Sequence, residues 1–166
     1  RSYAEAYCIY SDYFRNNIDD WKSRDELSVF DFGCGTGGEI VGLLMAVNDN
    51  LPNVRAVSVL PFDGNQVALR LFEKVAKRLK AHISFELRYS VCPFVVEDFY
   101  DLRTLDAVLD KYDIIMSFKA ICEFVSKERF EQSNAYARIS KCLLPRLNLG
   151  GIMLLVDVTT YSSVSQ

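Results

Sequence analysis

The sequence has little of several residue types and patterns that would indicate particular functions. It contains a single histidine, His82, so we expect no metal site. None of its cysteines is spaced as Cys-x-x-Cys, which argues against a structural zinc site and favours a reduced, cytoplasmic setting. No apolar run reaches the roughly 18 residues of a membrane-spanning helix, so we expect no membrane partner.

The sequence also has no excess of positive charge. Its 166 residues include 19 Lys and Arg against 22 Asp and Glu, which gives a formal net charge of −3. A nucleic-acid-binding domain usually carries a basic excess, so a nucleic acid partner is not indicated, although a local basic patch would be enough for one. Half of the residues are hydrophobic, as expected for a single globular domain.

The most informative stretch is the glycine-rich segment at residues 29–40. It reads Val-Phe-Asp-Phe-Gly-Cys-Gly-Thr-Gly-Gly-Glu-Ile. The pattern predicts a buried strand that ends at Asp31, a sharp turn, and a helix that begins near Gly37. Glycine suits such a turn because it accepts positive φ and lets a ligand approach the backbone. Because the helix start also has free N–H groups, we predict a nucleotide-type binding loop.

The residues around the glycines distinguish two cofactor classes. Gly33, Gly35 and Gly38 satisfy the dinucleotide fingerprint G-x-G-x-x-G, which is a weak signal alone. An acid before the first glycine would repel a pyrophosphate but suits a cofactor with an ammonium and a sulfonium group. Residues 31–37, Asp-Phe-Gly-Cys-Gly-Thr-Gly, resemble motif I, (D/E)-x-G-x-G-x-G, of the class I S-adenosylmethionine-dependent methyltransferases. The residues that this resemblance implies at the methionine part of S-adenosylmethionine are Asp31, Gly33, Cys34, Gly35 and Gly37.

A second match follows the second predicted strand, residues 54–62. In the family an acid closes this strand and accepts hydrogen bonds from both ribose hydroxyls. The resemblance implies that role for Asp63, with Gly64 beside it; the alternative is that Asp63 is only a turn residue. Because an exposed strand-end acid carries few packing contacts, removing Asp63 should weaken ligand binding but change stability little. Asn65 should cap the next helix. The buried positions that we predict on that helix are Ala68, Phe72, Val75 and Leu79.

A third, weaker match lies at residues 94–102. The corresponding family segment holds an acid that binds the adenine amino group and an apolar neighbour that packs on the ring. Asp98 and Phe99 fit these positions best, with Asp101 or Glu97 as alternative acids.

A fourth match is residues 111–118, which resemble the family's fourth strand and bring Ser117 to the predicted cofactor site. The Ser-Phe-Lys-Ala run that begins at Ser117 is not the Asn/Asp-Pro-Pro-Tyr run of enzymes that methylate exocyclic amines of DNA bases. The sequence therefore argues against a DNA amino-methyltransferase.

Strand and helix patterns alternate five times along the chain. They predict an α/β fold: a three-layer Rossmann-like sandwich with a mostly parallel sheet of at least five strands and helices on both faces. We expect one domain, with an N-terminal helical cap at residues 1–27, a core at 28–160 and a tail at 161–166. Because the chain given ends at Gln166, we expect the family's C-terminal β-hairpin to be absent or truncated.

The N-terminal cap is predicted from aromatic residues at helical spacing. They indicate a helix over residues 3–22 whose aromatic face either packs on the core or covers the cofactor cleft. The stripe consists of Tyr3, Tyr7, Tyr10, Phe14, Ile18 and Trp21.

The resemblance implies S-adenosylmethionine-dependent methyl transfer to an acceptor that the sequence does not identify, whether small molecule, protein or RNA. No catalytic residue is assigned, although Glu123, Tyr7 and Tyr10 are candidates to assist deprotonation of the acceptor. Two alternatives stay open. One is a non-catalytic interaction or regulatory module that keeps the fold, and the other is an NAD-dependent oxidoreductase.

Overall fold

The structure, a computed structural model, describes residues 2–102, 105, 110–125 and 133–157. Its helices are α1 (Ser2–Asn16), α2 (Ile18–Trp21), α3 (Gly38–Asn50), α4 (Gln66–Leu79), α5 (Ile121–Phe124) and α6 (Ala135–Leu143), the last followed by a 3₁₀ turn at Leu144–Arg146. Its strands are β1 (Glu26–Phe32), β2 (Ala56–Asp63), β3 (Glu86–Tyr89), β4 (Cys92–Pro93), β5 (Tyr112–Phe118) and β6 (Leu147–Val156).

The strands form one sheet in the order β3-β2-β1-β5-β6. The short β4 also pairs with β2, further along that strand than β3 does. All of the pairs are parallel. The order reverses at β1, so the loops that follow β1 and β5 flank a topological switch point, where open α/β sheets bind ligands. The α/β sandwich with a parallel sheet predicted from the sequence is confirmed.

Two cores form because successive side chains of β1 point to opposite faces of the sheet. Val29 packs against the aromatic and aliphatic side chains of α1, α3 and α4. Phe30 and Phe32 pack on the opposite face with Phe62, Tyr112 and the buried side of α6. Helices therefore cover both faces of the sheet, as in a three-layer sandwich.

The N-terminal aromatic stripe is confirmed as helical, but the helix breaks at Asn17 into α1 and α2. Tyr10, Phe14 and Trp21 are fully buried. The close packing of α1 on α3 depends on Gly42, because a Cβ there would lie 2.4 Å from the carbonyl oxygen of Tyr3. The stripe therefore anchors the N-terminal helix on the sheet's α3 side.

The helix after β2 starts as predicted, but one of its four predicted buried side chains is exposed. The Asn65 side chain caps α4 by accepting hydrogen bonds from the N–H groups of Val67 and Ala68. Val75 was expected to be buried, yet it is 42% exposed, whereas Ala76 is buried. The buried stripe follows Ala68, Phe72, Ala76 and Leu79, which turns Val75 outward.

The expected loss of the C-terminal hairpin concerns residues 158–166, which lie outside the described residues, as does the tail at 161–166. Among the helices described, none is long and apolar enough to cross a membrane.

Candidate functional site

A cavity of about 430 Å³ opens at the C-terminal ends of β1, β2 and β5, beside the switch point. Its volume lies within the range of roughly 300–1,000 Å³ that small-molecule sites occupy. The residues that line it are Ser2, Tyr3, Gly33, Cys34, Gly35, Thr36, Gly38, Glu39, Asp63, Phe118, Lys119, Ala120, Glu123 and Phe124. The predicted glycine loop thus forms one wall of the cavity.

The shape of this loop depends on glycines with left-handed backbone angles. Gly35 (φ 51°) faces open space, so its backbone is accessible from the cavity. Gly37 (φ 73°) caps α3, and a Cβ there would lie 2.3 Å from the buried Phe72 ring. The N–H groups of Gly33 and Cys34 donate to the carbonyl oxygen of Phe62, which ties the loop to β2. Sequence reasoning therefore placed both the turn and the helix start correctly.

Asp63 connects the glycine loop to the start of α4. One carboxylate oxygen accepts a hydrogen bond of 2.7 Å from the Gly35 N–H, and the other accepts one of 2.7 Å from the Asn65 N–H. These two hydrogen bonds argue against the expectation that removing Asp63 would change stability little. Next to it, Gly64 lies against the loop after β4, because a Cβ on Gly64 would be 3.3 Å from Val95.

Asp31 lies beneath the loop and does not line the cavity. Its side chain is fully buried, and neither carboxylate oxygen has a hydrogen-bond partner among the residues that the structure describes. Burial, together with the nearby carboxyls of Glu39 and Asp63, raises the pKa of Asp31 well above its usual range. The acid that distinguished the cofactor classes in the sequence is thus not one of those that face the cavity.

Glu39 is an acid that does face the cavity. It lies in the first turn of α3 and is buried. Burial raises the pKa of Glu39 to about 7, against the opposing influence of a backbone hydrogen bond and the Lys119 ammonium. A carboxyl with this pKa changes its charge near neutral pH, so the charge of the cavity depends on pH.

We expect Glu39 to make the fold less stable as pH rises. The folded protein holds this proton up to about pH 7, whereas the unfolded chain releases it near pH 4.5, so stability falls between these values. Asp31 acts in the same direction. Glu39→Gln should flatten the slope and raise the free energy of unfolding at pH 8 by about 1–3 kcal/mol.

Urea unfolding at pH 4.5 and pH 8 measures this slope. Glu26→Gln is the matched control, since Glu26 is exposed at the opposite end of β1. A slope that is the same in Glu39→Gln and wild type would contradict the assignment.

Lys119 lines the cavity and connects it to the N-terminal helix α1. This residue follows β5 with a left-handed φ of 59°, and its N–H donates to the carbonyl oxygen of Val156. Its ammonium forms an ion pair with Glu5 of α1. Because Ser2 and Tyr3 line the cavity, the start of α1 covers the cleft while Tyr10 packs in the core. The two roles considered for this helix therefore belong to different parts of it.

Besides Asp31, five sequence-predicted residues do not line this cavity: Gly37, Gly64, Asp98, Phe99 and Ser117. The Ser117 hydroxyl is buried and donates to the carbonyl oxygen of Phe32 at 2.8 Å. Phe99 is buried among Phe32 and Phe124. Asp98 lies in the loop after β4, which ends at Pro93, and the Asp98 carboxylate accepts a hydrogen bond from the Tyr100 N–H. Asp98 instead lines an adjacent hollow with Pro93, Phe94, Val95, Val96, Glu97 and Asp101.

The structure separates the three candidates for acceptor deprotonation. The Tyr10 hydroxyl is buried and donates to Met116 Sδ, and the Tyr7 hydroxyl donates to Asp49. Neither tyrosine lines the cavity, whereas Glu123 does.

Sequence reasoning missed Glu39 and Lys119 as cavity residues. Two signals could have indicated them: an acid in the first turn of an otherwise apolar helix, and a cation directly after a buried strand.

Comparison with known proteins gives the fold a context. No protein-family model and no curated protein matches the sequence. Among solved structures, the rRNA methyltransferase AviRa from Streptomyces viridochromogenes is 15% identical with a TM-score of 0.53, covering 88% of this chain and 72% of that one. YjhP from E. coli is 16% identical with a TM-score of 0.52, covering 91% and 47%.

A third structure, a candidate class I S-adenosylmethionine-dependent methyltransferase from Listeria monocytogenes, is 10% identical with a TM-score of 0.51, covering 83% of this chain and 41% of that one. The chain spans about half the length of several of the structures that it matches. Such identities show the fold alone. The chain has the fold that is found in structures of class I S-adenosylmethionine-dependent methyltransferases.

Proposed function

We propose that this protein binds S-adenosylmethionine at the glycine-loop cavity and transfers its methyl group to an acceptor. The observation that carries the proposal is the charge of the cavity beside that loop. Glu39, Asp63 and Glu123 face it with carboxyl groups, and its one lining cation among the described residues, Lys119, is neutralised by Glu5. Such a cavity favours a cofactor that carries an ammonium and a sulfonium group.

The residues present suit the parts of this cofactor. The N–H of Gly35 is taken by Asp63, but the open space at Gly35 lets a ligand approach the loop. The start of α3 offers N–H groups to the methionine carboxylate. Glu39, which lines the cavity, is proposed to accept hydrogen bonds from the ammonium group. Each Asp63 oxygen accepts one backbone hydrogen bond and has a further lone pair for a ribose hydroxyl. Asp98, in the adjacent hollow, is proposed to bind the adenine amino group.

The chemistry requires little more of the protein than placement. When bound, S-adenosylmethionine supplies an electrophilic methyl group, and in-line displacement at that carbon gains most from proximity and orientation. The cofactor is held by the glycine loop, by Asp63 and by helix α1, which covers the cavity. The methyl acceptor enters through the open mouth of the cavity. No fixed catalytic triad is needed.

A dinucleotide is the main alternative ligand for such a loop. Its pyrophosphate would face the same carboxyl groups and be repelled by them. We therefore expect S-adenosylhomocysteine, but not NAD, to raise the melting temperature. At a hundredfold excess over the dissociation constant the gain is about 2.7 kcal/mol, or roughly 5–10 °C.

Thermal unfolding with each compound makes the comparison. Protection by NAD alone would replace the proposal with an oxidoreductase, and protection by neither would favour a non-catalytic module.

A further inference from the structure

We infer that the mouth of the cavity binds the methyl acceptor as an ammonium ion, held by the Glu123 carboxylate and the aromatic rings of Tyr3 and Phe124. This inference rests on the proposed function and adds the acceptor class, a primary or secondary amine that carries an apolar group.

Two aromatic side chains line the cavity and still face solvent. Tyr3 is 44% exposed and Phe124 is 40% exposed. Most of the other aromatic side chains that the structure describes are buried. Exposed rings at a cavity are available to a ligand, and covering them with an apolar group is favourable because it removes apolar surface from water.

Both rings are already held in place by neighbouring rings. Phe124 stacks on Phe99 at a centroid distance of 5.9 Å and packs at a tilt against Phe32 at a centroid distance of 5.6 Å. Tyr3 stacks on Tyr7 at 6.4 Å. Binding a ligand would therefore cost little side-chain entropy, and this raises the affinity that these rings contribute.

The rings lie at opposite ends of the glycine loop. A Cβ on Gly33 would be 3.9 Å from the Phe124 ring, and a Cβ on Gly38 would be 3.6 Å from the backbone N of Tyr3. A molecule that contacts both rings would therefore span the loop to which we assign the cofactor. This is where an acceptor must lie to meet the methyl group.

The charge at the mouth selects a cation. Glu123 is exposed, and its carboxylate forms no ion pair with any residue described. Lys119, which also lines the cavity, is held by Glu5 and does not neutralise Glu123. A free carboxylate beside open aromatic rings matches an ammonium group, because the carboxylate accepts its hydrogen bonds and the rings attract its charge.

An amine acceptor is also consistent with the chemistry. The bound ammonium first loses a proton to water at the open mouth. The nitrogen lone pair then forms the N–CH₃ bond as the S–CH₃ bond breaks, and the electron pair of that bond stays on sulfur, which becomes a neutral thioether. No tyrosine hydroxyl is required, in agreement with the positions of Tyr7 and Tyr10.

Ligand binding tests the inference without relying on turnover. The probes are 2-phenylethylamine, the neutral 2-phenylethanol and the anionic phenylacetate, each titrated by calorimetry with and without saturating S-adenosylhomocysteine. We expect the amine to bind roughly fivefold more tightly than the alcohol, as one partly exposed ion pair allows, and phenylacetate to bind most weakly. Glu123→Gln should abolish the preference, and Glu26→Gln should keep it.

Phe124→Leu separates the ring from the charge. It should weaken the amine and the alcohol, with a larger loss for the amine because the attraction between cation and ring is also removed. Circular dichroism melting of each variant confirms that it is folded.

Equal affinity for amine and alcohol, or a preference that survives Glu123→Gln, would overturn the inference. If S-adenosylhomocysteine binds and the amine preference is absent, the proposed function stands and only the acceptor class is wrong. If S-adenosylhomocysteine fails to bind, the proposed function fails, and the titrations without it still decide whether Glu123 selects amines.

Discussion

Replacing Gly37 by alanine is expected to lower the free energy of unfolding by about 2–5 kcal/mol. The added Cβ would lie 2.3 Å from the Phe72 ring, which is fully buried and cannot move aside easily. Overpacking of this kind costs roughly 1–3 kcal/mol. The left-handed φ of 73° adds about 1–2 kcal/mol for a residue with a side chain.

The same loop offers a matched control. Gly35 has a left-handed φ of 51°, but a Cβ there meets nothing within 4 Å. Gly35→Ala should therefore cost only the backbone strain, about 1–2 kcal/mol. Urea unfolding of both variants measures the difference. Equal losses would show that the contact between Gly37 and Phe72 does not determine the loop's structure.

Asp63→Ala is expected to weaken S-adenosylhomocysteine binding about tenfold or more. Charge-assisted hydrogen bonds to a ribose contribute roughly 1.5–3 kcal/mol each, and 1.4 kcal/mol corresponds to tenfold. The variant should also lose about 1–2 kcal/mol of stability, because the N–H groups of Gly35 and Asn65 lose their acceptor. Asp98→Ala should weaken binding less, since a single contact to adenine is proposed there.

Titration calorimetry at a temperature where all variants are folded separates affinity from stability. Asp20→Ala serves as the control, because Asp20 is exposed on α2, away from the cavity. Unchanged affinity in Asp63→Ala would mean that another residue holds the ribose. The proposed cofactor contacts beyond the glycine loop would then have to be reassigned.

The sequence was sufficient to predict a structural feature wherever the interaction that determines the feature is local. The glycine pattern predicted the turn after β1 and the start of α3, because positive φ and helix capping depend on neighbouring residues. Asn65 was predicted to cap α4 for the same reason, and its side chain accepts two backbone N–H groups. The alternation of patterns predicted the parallel sheet, because each strand-helix unit returns the chain in the same direction.

The sequence was insufficient where a side chain's direction depends on distant residues. Phe99 and Ser117 lie at the predicted positions along the chain, but Phe99 packs on Phe124 and Ser117 bonds to β1. Both partners are remote in sequence, so no local pattern could indicate which way either side chain points.

The roles of the acids also required the structure. Asp31 has the motif position, yet the fold buries it beneath the loop, and Glu39 and Glu123 provide the charge that faces the cavity. Motif spacing gives the position of an acid in the chain, but its exposure depends on how α1 and α3 pack over β1. The ion pair that joins Glu5 to Lys119 could not be predicted, because its partners lie 114 residues apart in the chain.

The central claim is that the glycine-loop cavity binds S-adenosylmethionine, and calorimetric titration of the wild-type protein with S-adenosylhomocysteine tests it most directly. We predict saturable binding at one site per chain, with an affinity that Asp63→Ala lowers about tenfold and Asp20→Ala leaves unchanged. No detectable binding at millimolar ligand would contradict the claim.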